Sequence, residues 1–132
     1  MGVPVVGYKT NDFPAFYSRT SGLEVGMRLD SAKAIADLAQ MHWAMGLWTS
    51  VLVANPVPEL DAIPRSEIEP VIAKAVQEAQ DKKIHGPALT PFLLQRVSDL
   101  TVKRSMRANL ALLRNNAQLA AEIAVAMSAS KK

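Results

Sequence analysis

Two short runs of apolar, mostly β-branched residues limit what this chain can fold into. They are VPVVGY at 3–8 and VLVA at 51–54, and both are typical of strands buried inside a sheet. Leu23–Leu29 is a possible third strand. Four other segments have the apolar spacing of amphipathic helices, namely 31–45, 64–83, 90–100 and 105–127. Two or three short strands are too few to pack against the apolar faces of four helices. The sequence therefore predicts an α/β fold that is either half of a larger domain or an obligate oligomer.

Composition and charge exclude several classes of function. The length of 132 residues, with 49% hydrophobic and 20% charged residues, is that of one globular domain. The chain has no cysteine, which excludes disulfides and thiolate chemistry. Its net charge is +3, but the basic residues are scattered, so we expect no nucleic-acid partner. The longest apolar run, 43–54, is too short to span a bilayer and no secretory signal is visible, so we expect no membrane partner and a cytoplasmic location.

The segment SMRANLALLRNNAQLAAEIAVAM, 105–127, has the strongest helical pattern. Ser105 is in position to cap its start. The predicted apolar face consists of Met106, Leu110, Leu113, Ala117, Ala120, Ala124 and Met127. Asn109 and Asn116 are seven residues apart and border that face, where an amide must either bond neighbouring groups or reach a ligand. The pattern alone favours the structural role for both.

The remaining polar residues give weaker signals. Arg19, in a loop rich in Ser and Thr, either contacts an anion or is solvated, and solvation is the commoner case. His42 lies on the apolar face of the first helix without a second ligand nearby, so we expect a core residue and not a metal ligand. The sequence contains no GxSxG, HExxH, P-loop or GxGxxG motif. The segment NPVP, 55–58, follows the VLVA strand at a place where ligand sites gather in α/β sheets.

Several longer strings carry a family resemblance. They are GVPVVGYKTNDFPAFYSRTSG, RLDS, VLVANPVPE, TPFLLQRV and RANLALLRNNAQLAAEIA, and together they cover the chain from Gly2 to about Ala126. With these strings the chain resembles the C-terminal portion of the pseudouridine-5'-phosphate glycosidases, a family also called indigoidine synthase A-like. The resemblance implies that residues 1–132 form one partial domain, the C-terminal half of an α/β/α layered domain with a mixed central sheet. It also implies a homotrimer and an enzyme that requires Mn²⁺.

The family's reaction is the reversible cleavage of the C–C glycosidic bond of pseudouridine 5'-phosphate into ribose 5-phosphate and uracil. The resemblance implies that a lysine traps the opened ribose as an imine, a glutamate acts as acid and base, and an aspartate holds the metal. All three lie upstream of the matched segment, so we expect no catalytic residue and no metal ligand here, and no activity from this chain alone. The alternatives are a non-catalytic remnant, a partner subunit that completes a separately encoded N-terminal half, or a stand-alone binding module.

One ligand contact transfers to this chain by resemblance. Asn109 in RANLALL matches the asparagine of the family's ANIAL-type motif, which implies a substrate contact near the uracil, whereas Asn116 keeps its structural role. Asn55 belongs to another family-typical motif, and a structural role for it is at least as well supported as a ligand contact. The chain departs from the family at Thr49–Ser50 and Val102–Lys103, where relatives have glycines. Because such glycines usually adopt positive φ, we expect strained or reshaped loops at both places.

Overall fold

The computed structural model describes residues 2–129; Met1 and residues 130–132 of the expected domain lie outside the described residues. The strands are β1 (Val5–Tyr8), β2 (Met27–Leu29) and β3 (Leu52–Ala54). The helices are α1 (Ala32–Ala44), α2 (Arg65–Asp81), α3 (Leu89–Leu100) and α4 (Arg104–Ala129). Two 3-10 turns, Glu59–Asp61 and Gly86–Ala88, precede α2 and α3. The α/β fold expected from the sequence is confirmed.

β1 is the central strand of a three-stranded sheet with the order β2-β1-β3. Both neighbours run parallel to it, and Val6 lies opposite Met27 on one side and Val53 on the other. One antiparallel bridge joins Asp12 to Glu24 outside these strands. The strands within residues 2–129 are therefore all parallel, and the mixed sheet stays a prediction for the complete domain.

Gly7 lets the chain fold back over the end of β1. A Cβ at this position would collide with the carbonyl oxygen of Thr10 and a side-chain methyl group of Val25. Only glycine permits so close an approach of backbone to backbone. The loop 9–26 consequently lies over the carboxyl end of β1, and the Lys9 amide donates to the Leu29 carbonyl over 3.0 Å.

The main core lies beside the sheet, between α2, α3, the first half of α4 and the loops that follow β1 and β3. Its buried members are Tyr17, Val57, Ile63, Ile68, Ala75, Val97 and Ala108. α2 packs on α3, and α1 packs on α4. No helix within residues 2–129 is long and apolar enough to cross a membrane.

The expected inner face of α1 is largely confirmed. The Ser31 hydroxyl caps this helix by accepting a hydrogen bond from the Ala34 amide, and Ile35, Ala39 and His42 are buried. Met45 is 65% exposed because it follows the last helical turn.

The predicted face of α4 is wrong. Met106, Leu110 and Leu113 are 42%, 48% and 57% exposed. The side chains that point into this chain are instead Ser105, Ala108, Leu112, Asn115 and Leu119, all buried or half-buried. The many alanines and leucines of α4 give it apolar residues on two sides, and the pattern did not decide which side faces the rest of the chain.

Ser105 is also not the N-cap of α4. The helix begins at Arg104, and Ser105 is buried within its first turn. Its amide donates to the hydroxyl oxygen of Thr101 over 3.2 Å, and the Thr101 hydroxyl donates to the Val97 carbonyl oxygen over 2.7 Å. Thr101 therefore satisfies an amide at the helix start, which is the function expected of Ser105.

Candidate functional site

The carboxyl ends of the three strands lie at one end of the sheet, because all three strands run in the same direction. Loop 9–26 leaves β1 there, and the segment NPVP leaves β3 beside it. Ligands in open α/β sheets bind outside these strand ends. This end of the sheet is therefore the candidate site, and α4 is the helix that borders it.

Three asparagine amides meet directly after β3. Asn115 Nδ2 donates to Asn55 Oδ1 over 3.2 Å and to the Pro56 carbonyl oxygen over 3.1 Å. Asn55 Nδ2 donates to Asn116 Oδ1 over 2.9 Å. The three side chains, which we call the amide cluster, join α4 to the carboxyl end of β3.

The Pro56 carbonyl fixes the orientation of the whole amide cluster. A carbonyl oxygen only accepts, so the atom of Asn115 beside it must be the nitrogen. The same nitrogen of Asn115 also contacts Asn55, and the contacted atom of Asn55 must therefore be its side-chain oxygen. The side-chain nitrogen of Asn55 then contacts the side-chain oxygen of Asn116. The outermost free group of the cluster is therefore the NH₂ of Asn116.

Asn109 lies beyond the amide cluster, further from the sheet. α4 runs away from β3 in its N-terminal direction, since Asn116 contacts Asn55 whereas Arg107 Nε contacts Asp61 Oδ1 over 2.7 Å. Asn109 lies between these contacts, on the same side of α4 as Asn116 and about 10 Å from it along the axis. It is half-buried, and its amide makes no hydrogen bond within residues 2–129.

Loop 9–26 is held to the segment after β3. The Ser18 hydroxyl donates to the Ile63 carbonyl over 2.6 Å, and the Ile63 amide donates to the Tyr17 carbonyl over 2.9 Å. The Arg19 side chain donates to the Val57 carbonyl over 2.7 Å, so this arginine links the loop to the segment after β3. The loop is thus fixed over the strand ends at three points.

Asp12 organises the outer part of the same loop. Its carboxylate accepts hydrogen bonds from the Thr20 hydroxyl and from the Ser21 amide. The Thr20 contact is the main reason that the pKa of Asp12 is lowered, because it favours the charged form. Burial raises the pKa of Tyr17, and its hydrogen bond with Ser105 at the start of α4 partly offsets this rise.

A cavity of about 700 Å³ lies between β3, α4 and the loop after β1. Its lining is mostly apolar and includes Val51–Asn55, Phe16, Leu119 and Ile123, with Asn116 as a polar contribution. Asn109 does not line it. The cavity therefore borders the amide cluster on the side of the sheet, whereas Asn109 lies on the other side of that cluster.

Comparison with known proteins agrees with this arrangement of elements. Residues 1–126 match the family described as indigoidine synthase A like protein. The chain belongs to this family. It is 54% identical over 130 residues to a pseudouridine-5'-phosphate glycosidase of Methylobacterium nodulans and 50% identical over 127 residues to that of Geobacillus kaustophilus. These matches cover 98% and 96% of the chain but only 39% and 42% of the relatives.

Two solved structures superimpose on the chain. An indigoidine synthase A-like protein of Thermotoga maritima has a TM-score of 0.82 at 41% identity, and the match covers 93% of this chain and 40% of the other. A prealnumycin C-glycosynthase in complex with ribulose 5-phosphate has a TM-score of 0.85 at 31% identity, covering 98% and 42%. The chain thus spans about two fifths of the relatives that it matches.

The family departures have different structural outcomes. Val102 and Lys103 both adopt positive φ, 50° and 65°, which is the conformation that glycine adopts most easily. Strain is therefore present at this turn, as expected. Thr49 and Ser50 do not have positive φ. The Thr49 hydroxyl lies 2.8 Å from Nε2 of buried His42, so this loop is held by a side chain.

Metal chemistry has no evident place among the described residues. Within residues 2–129, no group of three or more His, Asp or Glu side chains is placed to hold an ion. Nearby carboxylates are bound to arginines, as in Asp61 with Arg107 and Glu67 with Arg104. These residues do not fit a Mn²⁺ site by themselves.

Asn115 is the site residue that the sequence reasoning missed. Its position follows from the second apolar spacing of α4, in which Ala108, Leu112, Asn115 and Leu119 recur at three- and four-residue steps. A polar residue inside such a row must find buried partners, and Asn115 finds two.

Proposed function

We propose that this chain forms the C-terminal part of a pseudouridine-5'-phosphate glycosidase, which cleaves the C–C bond of pseudouridine 5'-phosphate reversibly into ribose 5-phosphate and uracil. The observation that carries the proposal is the placement of Asn109. Its amide lies beyond the carboxyl end of β3 and makes no hydrogen bond within residues 2–129. No buried side-chain nitrogen or oxygen in those residues lacks a partner, so this amide is open to solvent, where a ligand can reach both its donor and its acceptor.

An asparagine amide suits the edge of uracil. The base presents alternating N–H and C=O groups, and one amide supplies a matching acceptor and donor. Asn109 therefore orients the base in our proposal. The amide cluster and the fixed loop 9–26 hold α4 in register with the strand ends, so Asn109 is presented from a rigid element.

The reactive groups belong, in this proposal, to the part of the family domain outside these 132 residues. That part supplies the lysine that forms the imine, the glutamate that transfers protons and the aspartate that holds Mn²⁺. The working form is a homotrimer of the completed domain, and the 132 residues alone are inactive.

A second candidate is a non-catalytic remnant or a partner subunit for a separately encoded N-terminal half. The turn at Val102 and Lys103 favours it, because the resemblance implies glycines there and this chain instead has two L-residues at positive φ. Both candidates predict an inactive isolated chain. They differ in whether the missing portion restores activity.

The experiment combines the 132-residue chain with the N-terminal portion of the Methylobacterium nodulans relative, which lies outside the match. Each part alone and the mixture are incubated with pseudouridine 5'-phosphate and Mn²⁺, and uracil release is measured by chromatography. We expect release from the mixture only. Release by the chain alone would contradict the assignment of the reactive groups to the other part. A mixture that associates without releasing uracil supports the non-catalytic candidate.

A further inference from the structure

The two outer strands of the sheet have different edges. On β2, Arg28 is exposed and forms an ion pair with Asp30 at 2.8 Å. Charged side chains on an edge strand discourage further pairing. On β3, residues 51–54 carry no charge and no proline. By this criterion β2 is built as an outer edge, whereas β3 has the sequence of an interior strand.

The backbone of β3 offers a free pairing site. The Leu52 amide donates to the Pro4 carbonyl over 2.9 Å, on the β1 side. Because backbone groups alternate along a strand, the N–H and C=O of Val53 point away from β1. On β2 the Leu29 carbonyl accepts from Lys9, so Arg28 is the residue whose backbone faces outward there. Val53 and Arg28 are thus equivalent positions on opposite edges.

The 700 Å³ cavity lies next to the free edge of β3. Leu119 and Ile123 of α4 and Phe16 of the loop form its apolar wall, and Leu52 is 47% exposed beside it. Beyond the apolar part, the cavity reaches the NH₂ of Asn116, whose orientation follows from the Pro56 carbonyl. An apolar trough beside an unpaired strand, with one donor at its end, has the requirements of a further β-strand.

We propose that the free edge of β3 binds an apolar strand contributed by the portion of the family domain outside these 132 residues. This inference rests on the proposed function, in which the chain works together with that portion. The strand pairs with the outward backbone of Val53, its apolar side chains fill the cavity, and a backbone carbonyl near its end accepts from Asn116. The relatives provide the occupant, since about three fifths of their length is not represented here.

Amide hydrogen exchange tests which edge is used. The ¹⁵N-labelled 132-residue chain is followed by NMR, alone and with the unlabelled N-terminal portion of the Methylobacterium nodulans relative. We expect the exchange of the Val53 amide to slow by about 100-fold or more on mixing, and that of Arg28 to change less than about threefold. Protection of Arg28 without Val53, or no association, overturns the proposal. Protection of Val53 in the chain alone that depends on its concentration also overturns it, in favour of a second copy.

Two neighbouring alanines of α4 provide matched variants. Both are exposed, but Ala120 lines the cavity whereas Ala121 does not. We expect Ala120→Glu to weaken association about tenfold or more, because it places a charge in an apolar contact, and Ala121→Glu to change it less than about twofold. Uracil release that Ala120→Glu leaves unchanged would overturn this inference alone. Association with Val53 protection but without uracil release would overturn the proposed function alone.

Discussion

Asn115 Nδ2 lies 3.1 Å from the carbonyl oxygen of Pro56, and this contact determines which way three amides face. It joins the middle of α4 to the first residues after β3. These two segments are about 60 positions apart in the chain. Because the acceptor is a backbone carbonyl, no flip of Asn115 preserves the hydrogen bond. The contact therefore holds α4 in one register against the sheet.

Asn115→Asp is expected to destabilise the chain at neutral pH. The carboxylate has no proton to donate and faces two oxygens, those of Pro56 and Asn55. We expect a loss of about 1 to 3 kcal/mol in the free energy of unfolding. Urea denaturation followed by circular dichroism measures it.

Asn116→Asp is the matched control for this prediction. It adds the same charge at the next residue, but Asn116 accepts from Asn55 through oxygen, and a carboxylate still accepts. We expect a change within about 0.5 kcal/mol, as for most surface substitutions. Equal losses for the two variants would contradict the deduced orientation of the amides.

The turn before α4 is expected to gain stability from glycine. Val102 and Lys103 are exposed and have positive φ, which costs an L-residue roughly 1 to 2 kcal/mol. Replacing valine by glycine relieves this cost, but the greater conformational freedom of glycine in the unfolded chain offsets part of the gain. Val102→Gly should therefore raise the free energy of unfolding by about 0.5 to 1 kcal/mol. Thermal unfolding measures the change. Met45→Gly, at an exposed position with φ of −76°, is the control and should not stabilise.

Acid should weaken the loop after β1 through Asp12. The pKa of this carboxyl is lowered in the folded chain, chiefly by the Thr20 hydroxyl, so the unfolded chain binds the proton more readily. Its contribution to stability is therefore complete above about pH 4, the ordinary range of an aspartate, and is lost as the pH falls through the lowered pKa. Asp12→Asn should remove this part of the pH dependence.

Urea titrations of the wild type and Asp12→Asn at a series of pH values check this prediction. The difference in unfolding free energy between the two should be constant near neutral pH and shrink below about pH 4. Glu24→Gln is the control, since the Glu24 side chain makes no hydrogen bond within residues 2–129. A difference that stays constant down to low pH would show that Asp12 titrates alike in both states.

The sequence predicted the elements better than it predicted their faces. The VLVA run and the apolar spacing of 31–45 are local signals, and they became β3 and α1. The inner face of α4 depends on which neighbours are present, and its second apolar side, with Leu110 and Leu113, is exposed here. The amide cluster joins residues about 60 positions apart, and no local pattern pairs Asn55 with Asn115.

Asn109→Ala separates a role in binding substrate from a role in holding the fold. Its amide has no partner in residues 2–129, so the free energy of unfolding should change by less than about 0.5 kcal/mol. In the mixture with the N-terminal portion, the loss of one buried hydrogen-bonding pair to uracil should reduce kcat/KM roughly 10- to 100-fold. Gln80→Ala, at an exposed position of α2, serves as the control and should leave both unchanged. A variant that loses stability and activity together would assign Asn109 to the structure and remove it from the substrate site.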